Sequence, residues 1–265
     1  MKIIGELINA SRKAIAAAIE AGDSEHIQQV AKDQAAAGAD YIDVNAGVFV
    51  GEEPGYVKWL VETVQEVVDI PCCIDSPDPK AIEAGLVVHQ GTAMINSISL
   101  EKDRYDTLLP IVAGTDLKVV ALCMSDEGMP ETVDDRMAIA DKLVNGLLQH
   151  NVNIENIYVD PLVQPISVNN QFGMEFINSI EKIVTTFKGI HTVCGLSNIS
   201  FGLPNRKFLN QTFMTMAITK GLDGAIINPM DRNMMANIIA AEALVGKDEY
   251  CEKYLVAYRE KLFEG

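Results

Sequence analysis

Apolar residues in this chain fall into short runs separated by longer amphipathic stretches, and the two alternate eight times. The runs are 3-IIGELIN-9, 41-YIDVNAG-47, 72-CCIDS-76, 92-TAMINSIS-99, 118-KVVALCM-124, 157-IYVDPL-162, 191-HTVCGLS-197 and 224-GAIINP-229. Each has strand length and is apolar on both faces for most of its course, the pattern of strands covered by helices. Between them, residues 56–68, 79–88, 133–149 and 208–220 repeat apolar positions at helical spacing. Such alternation predicts parallel strands joined by crossover helices. Eight repeats in 265 residues favour one closed α/β barrel, the (β/α)8 or TIM barrel, over a doubly wound sheet. Gly38 and Gly221, shortly before strands, suit helix C-termini. Residues 248–263 predict an extra C-terminal helix, and the Pro/Asn-rich segment 161–173 a long loop after the sixth strand. No linker, charge block or low-complexity segment marks a boundary, so residues 1–265 read as one domain.

The polar residues are placed as regularly as the apolar ones. Almost every run ends in a carboxylate or amide: Glu6 and Asn9, Asp43 and Asn45, Asp75, Asn96, Asp160, Ser197 with Asn198, and Asn228 with Asp231. In a parallel barrel all C-terminal strand ends meet at one mouth, where barrel enzymes place their sites. Any one of these residues reads equally well as a cap for the following helix. The whole set does not, because a carboxylate buried in a strand costs free energy unless it meets a partner.

Composition narrows the classes. Hydrophobic residues make up 48% and charged residues 22%, enough for a large core and wrong for a disordered chain. A net charge of −16 repels nucleic acid phosphates and anionic membranes. No apolar run reaches the ~20 residues that a membrane helix needs, and the N-terminus lacks a signal-peptide pattern. The five cysteines, Cys72, Cys73, Cys123, Cys194 and Cys251, are odd in number and sit mostly in strand runs, as expected of reduced thiols in a cytoplasm.

The mouth chemistry then sorts the ligands. Hard oxygen donors suit Mg²⁺, but no His pair stands at the strand ends: His26, His89 and His150 fall on helices, and His191 opens its strand at the wrong face. Without CxxC or a Cys/His cluster a zinc site is not expected, and no metal is assigned to this chain. Phosphate would want Gly-rich turns and basic residues, and only Arg206 and Lys207 lie near the seventh strand end. No strand ends in the lysine that a Schiff-base aldolase uses. Carboxylates and amides without metal or lysine suit a neutral heterocycle rich in N–H donors, such as a pterin. That gives a class of ligand, not a reaction.

These residues resemble the corrinoid-dependent methyltetrahydrofolate methyltransferases, and more distantly dihydropteroate synthase and the folate domain of cobalamin-dependent methionine synthase. The shared motifs are 5-GELIN-9, 41-YIDVNAG-47, 74-IDS-76, 79-PKAIEAGL-86, 94-MINS-97, 159-VDPL-162, 195-GLSNIS-200, 205-NRKFLNQTF-213 and 221-GLDGAI-226, in family order over nearly the whole chain. The resemblance implies that Asp75, Asn96 and Asp160 hold the pterin ring of tetrahydrofolate or 5-methyltetrahydrofolate and that Asn198 approaches its N5. Glu6, Asp43, Ser197 and Arg206 match neighbouring positions with looser roles. It also implies a separate corrinoid protein as partner, since no D-x-H-x-x-G signature occurs at any of the four histidines, and a homodimer.

Two departures stand out. Many relatives carry arginine where this chain has Leu7, and a close relative has asparagine at Ser125; neither removes a ring-holding residue. Dihydropteroate synthase ends its seventh strand with Ser-Arg-Lys, which Ser197-Asn198-Ile199 lacks.

Methyl transfer between nitrogen and cobalt is an in-line displacement in which N5 must carry a proton or a strong hydrogen bond when the C–N bond breaks. Asn198 and Asp43 are the catalytic candidates: Asn198 favours the charged transition state, and the proton moves through solvent or through a network involving Asp43 or Asp75. The expected reaction takes the methyl from a glycine betaine-type corrinoid protein to tetrahydrofolate. The alternatives are the opposite direction, a pteroate synthase on the same scaffold, or a folate-binding accessory protein.

Overall fold

The eight apolar runs form eight parallel strands in the computed structural model, which describes residues 1–264. They are β1 (Lys2–Asn9), β2 (Tyr41–Asn45), β3 (Cys72–Asp75), β4 (Met94–Leu100), β5 (Lys118–Ser125), β6 (Ile157–Asp160), β7 (His191–Thr192) and β8 (Gly224–Ile227). Sequence neighbours pair throughout, and β1 also pairs with β8. A single bridge between Gly195 and Ile226 links the remaining two edges. The expected (β/α)8 barrel is what forms.

Helices cover the outside. The β1–β2 crossover holds two, α1 (Lys13–Ala21) and α2 (Ser24–Ala36). Gly22 ends the first in a left-handed conformation (φ 63°), and the Asp23 side chain caps the second at the His26 N–H. Then follow α3 (Glu53–Gln65), α4 (Pro79–Val88), α5 (Lys102–Val112), α6 (Val133–Gln149), α7 (Phe172–Thr186), α8 (Arg206–Thr219), α9 (Arg232–Leu244) and α10 (Glu252–Arg259). Side-chain caps also fix three later starts: Asp78 for α4, Thr132 with Asp135 as a capping box for α6, and Asp231 for α9. The expected C-terminal helix over 248–263 is broken. Tyr250 and Cys251 adopt positive φ (54° and 55°), so a short 3-10 turn precedes α10.

The seventh strand is shorter than its run predicts. It stops at Thr192, and residues Leu196–Ser200 wind into a 3-10 turn. Local bonds compete with the ladder there: the Asn198 N–H donates to the Gly195 carbonyl, and the Ser200 hydroxyl donates to that of Ser197.

The barrel interior is packed, not hollow. Ile4, Tyr41, Cys73, Met94, Val120, Tyr158 and Val193, all buried, form one cluster with Ile226. That is one residue from each strand or its immediate continuation. Side chains two residues apart on a strand share a face. Adding two to each plug position gives Glu6, Asp43, Asp75, Asn96, Leu122, Asp160, Gly195 and Asn228. The polar layer of the mouth therefore follows from strand pleating alone.

Candidate active site

Strand register sets Asp75 and Asn96 of this layer in a row with Asn45. Asn45 lies opposite Asp75, and Asp75 opposite Asn96. The Asn45 amide donates to Asp75 Oδ2 at 2.8 Å. Two residues earlier on β2, Asp43 is 2% exposed, and its Oδ1 has no hydrogen-bond partner. Burial pushes the Asp43 carboxyl well above the usual carboxylate range, the charge of Asp75 adds to this, and the Cys73 and Asn96 side chains oppose it. Burial also lifts Asp75, to about 6, against the pull of the Asn45 amide and the Arg104 guanidinium. Both buried carboxyls are thus pushed toward their neutral forms.

Arg104, on α5, carries no signal in its own neighbourhood of the sequence. Its Nε donates to the Ser97 carbonyl at 2.6 Å, Nη1 to that of Pro77 at 2.8 Å and Nη2 to that of Ser76 at 2.8 Å. It ties the ends of β3 and β4 together beneath Asp75 and Asn96. The Ser76 hydroxyl donates to the Glu53 carboxylate at 2.5 Å, which adds the first turn of α3 to the same support.

Asp160 ends β6, in register with Leu122. Its Oδ1 accepts the Leu162 N–H at 2.8 Å across a turn in which Leu162 takes φ 65°. Burial pushes this carboxyl up to about 7, opposed by the backbone N–H groups of Leu162 and Gly195 and by Arg136. Arg136, on α6, is fully buried. It donates to the carbonyls of Pro161 at 2.8 Å, Glu131 at 2.8 Å and Leu162 at 3.4 Å. The loop that aims Asp160 is thus clamped from outside the barrel.

On the rim, Ser197 and Asn198 stand on the 3-10 turn, with Asn198 exposed. Arg206 opens α8 and folds back on this turn, donating to the Ser197 carbonyl at 2.6 Å and the Ser200 hydroxyl at 3.0 Å. Glu6 pairs with Arg12 at 3.0 Å. Burial raises its carboxyl, and the charges of Arg12 and Arg206 both oppose that shift. The structure thus places Glu6, Asp43, Asp75, Asn96 and Asp160 in one layer above the plug, with Ser197, Asn198 and Arg206 at its edge. Sequence reasoning missed Arg104 and Arg136.

Among the described residues, no group of three or more His, Cys, Asp or Glu side chains is arranged to hold a metal ion. His89 accepts the Cys72 N–H at 3.0 Å, and His191 stacks on Tyr158 with ring centroids 4.7 Å apart at the entrance of the strands, away from the mouth. The layer offers acceptor oxygens and amides that suit a flat ring edged with N–H donors.

Residues 5–228 match the pterin binding enzyme family. The chain belongs to that family. A member of Eubacterium limosum, a methylcorrinoid:tetrahydrofolate methyltransferase, is 40% identical over 98% of this chain and 97% of its own length. The methionine synthase of Mycobacterium tuberculosis (strain ATCC 25618 / H37Rv) is 30% identical over 87% of this chain, which spans only 21% of that longer protein. Among solved structures, dihydropteroate synthase from Xanthomonas albilineans in complex with 7,8-dihydropteroate superposes with a TM-score of 0.69 at 15% identity, covering 92% of each chain. The enzyme from Yersinia pestis gives 0.68 at 15% identity over 92% of this chain and 93% of that one. At that identity the likeness is one of fold.

Proposed function

We propose that this chain is a methyltransferase that takes a methyl group from a methyl-Co(III) corrinoid protein to N5 of tetrahydrofolate, in a demethylation pathway of glycine betaine type. The observation that carries this is the 40% identity along nearly the entire length of a relative bearing that activity in its name, on a barrel whose mouth presents an acceptor layer. Asp75, Asn96 and Asp160 receive the N–H donors of the pterin edge, and Glu6, Ser197 and Arg206 shape the wall beside it. The N5 lone pair attacks the methyl carbon, and the Co–C electron pair stays on the metal of the partner as Co(I). N5 becomes cationic and then sheds its proton.

Asn198 hydrogen-bonds N5 while that charge builds. The proton leaves N5 for solvent or through a network involving Asp43 or Asp75, and in the reverse direction it returns by the same route. The chain acts as one pterin-binding domain over residues 1–265, as a cytoplasmic homodimer, with the mouths left free for the corrinoid partner. Exposed Leu244, Tyr250, Leu255 and Tyr258 on the α9–α10 side supply an apolar surface for the dimer contact.

An absorbance assay tests the reaction. Enzyme, tetrahydrofolate and methyl-Co(III) corrinoid proteins from several demethylation systems are mixed, and conversion to Co(I) is followed. Conversion of none of them, with tetrahydrofolate shown to bind, sinks the proposal.

A further inference from the structure

The charge around the mouth is divided by sector. The loops after β2 to β5 carry acids: Glu52, Asp78, Glu101, Asp126 and Glu127. The loops after β7 and β1, on strands that flank β8, carry two Arg-Lys pairs instead, Arg12-Lys13 and Arg206-Lys207, all four exposed. The pairs stand on either side of β8, with Arg12 3.0 Å from Glu6 of the mouth layer and Arg206 2.6 Å from the Ser197 carbonyl on its rim. Among the described residues, two carboxylates pair with these four cations. Glu6 is paired with Arg12, while Asp231 caps α9 and lies 3.8 Å from Lys207.

Such a cluster is unexpected on grounds of stability. Each pair sits at the start of a helix, where the dipole disfavours cations, and neither α1 nor α8 has a side-chain cap or an acid in its first turn. Arg12 and Arg206 serve the fold at Glu6 and at the Ser197 turn, but in a chain of net charge −16 the exposed Lys13 and Lys207 beside them add positive potential with, among the described residues, no ion pair closer than the 3.8 Å between Lys207 and Asp231.

The ligand proposed above carries anions to that place. Its aminobenzoyl-glutamate tail leaves from C6, the ring atom next to N5. With the amino edge on Asp75, Asn96 and Asp160, and N5 at Asn198, the tail emerges on the β7–β8–β1 side. We infer that Lys13 and Lys207, flanked by Arg12 and Arg206, form a subsite for the γ-linked oligoglutamate tail of the folate, so that the enzyme prefers substrates with a lengthened tail. This rests on the pterin pose proposed above.

The test compares dissociation constants of 5-methyltetrahydropteroyl mono- and triglutamate and of a tail-less 5-methyltetrahydropterin, for wild type and a Lys13→Gln/Lys207→Gln double variant. The triglutamate should bind wild type roughly fivefold tighter than the monoglutamate at low salt, the scale of two exposed ion pairs. That ratio should fall toward one in the variant and in about 0.5 M salt, where screening reaches only a few ångströms. The tail-less pterin, which does not reach the lysines, reports whether the variant is folded. An unchanged ratio in the variant, or no chain-length preference in wild type, overturns the subsite alone. A variant that keeps the ratio but loses methyl transfer from the corrinoid protein also overturns it, by assigning the lysines to partner docking. Failure of every one of the three ligands to bind wild type overturns the pterin pose and the subsite together.

Discussion

At Asp160 a carboxyl pushed up to about 7 would, in the proposed pose, meet a ligand whose N–H donors need it ionised. Ring binding must therefore displace a proton near neutrality, and affinity should rise with pH until it levels off above about 7. Asp160→Asn keeps the size of the side chain but presents one acceptor where the carboxylate has two. Calorimetry should show folate binding at least tenfold weaker in this variant and nearly flat with pH, the scale of one lost charge-assisted hydrogen bond. A wild-type pH profile in Asp160→Asn refutes the assignment. Asn198 calls for a different measurement, because a side chain that acts as charge develops affects rate more than binding. Asn198→Ala should lower the transfer rate by roughly 10²–10³ with little change in folate affinity. Transfer at the wild-type rate refutes its role.

At the scale of elements, helices set the geometry of strands they do not belong to. Arg136 reaches from α6 to the carbonyls that follow β6, and Arg104 from α5 to those that follow β3 and β4. Arg136→Met strands several buried carbonyls, at a cost on the order of 2–4 kcal/mol. The melting temperature should drop and folate affinity should drop with it, whereas an Ala substitution on an exposed face of the same helix changes neither. Stability lost with affinity intact would assign Arg136 to structure only.

These two arginines show where legibility ends. The strand runs and the capped starts of α4 and α6 are local patterns, and they emerge at the residues expected. The polar layer is legible because a strand alternates, so that Asp75 and Asp160 stand two positions beyond Cys73 and Tyr158. Arg104 and Arg136 bond backbone carbonyls that differ in no way from any others in the sequence. The early stop of β7 was half visible: Gly195, Ser197 and Asn198 favour local turns, but the apolar Val193 and Cys194 read as more strand. The break between α1 and α2 was written in Gly22-Asp23, a stop followed by a cap.

At the scale of the molecule, the buried carboxyls make stability depend on pH in a direction opposite to ordinary acid denaturation. Asp75 and Asp160 have folded values raised to about 6 and about 7. Their contribution is complete below the ordinary carboxylate value and is lost as pH rises through the folded ones. Relief of self-repulsion in a chain of net charge −16 works the same way. His89 opposes them, because burial lowers its value, so its contribution is present above its usual value and fades below it. The ligand-free protein should thus melt higher near pH 6 than near pH 8, with a shallower slope in Asp160→Asn. Scanning fluorimetry decides this, and a melting temperature that climbs over that interval rules it out.

The barrel is not equally stitched all the way round. Between the two-residue seventh strand and the eighth, one bridge from Gly195 to Ile226 does the work that four residue pairs do along β2–β3 or β5–β6. In the proposed pose a ring lodged between Asp160 and Asn198 would brace the near bank of this weak seam, so that occupancy steadies the edge that the backbone leaves slack. Amide hydrogen exchange over residues 193–198 should be the fastest of any strand end when the mouth is empty and should slow most when folate fills it.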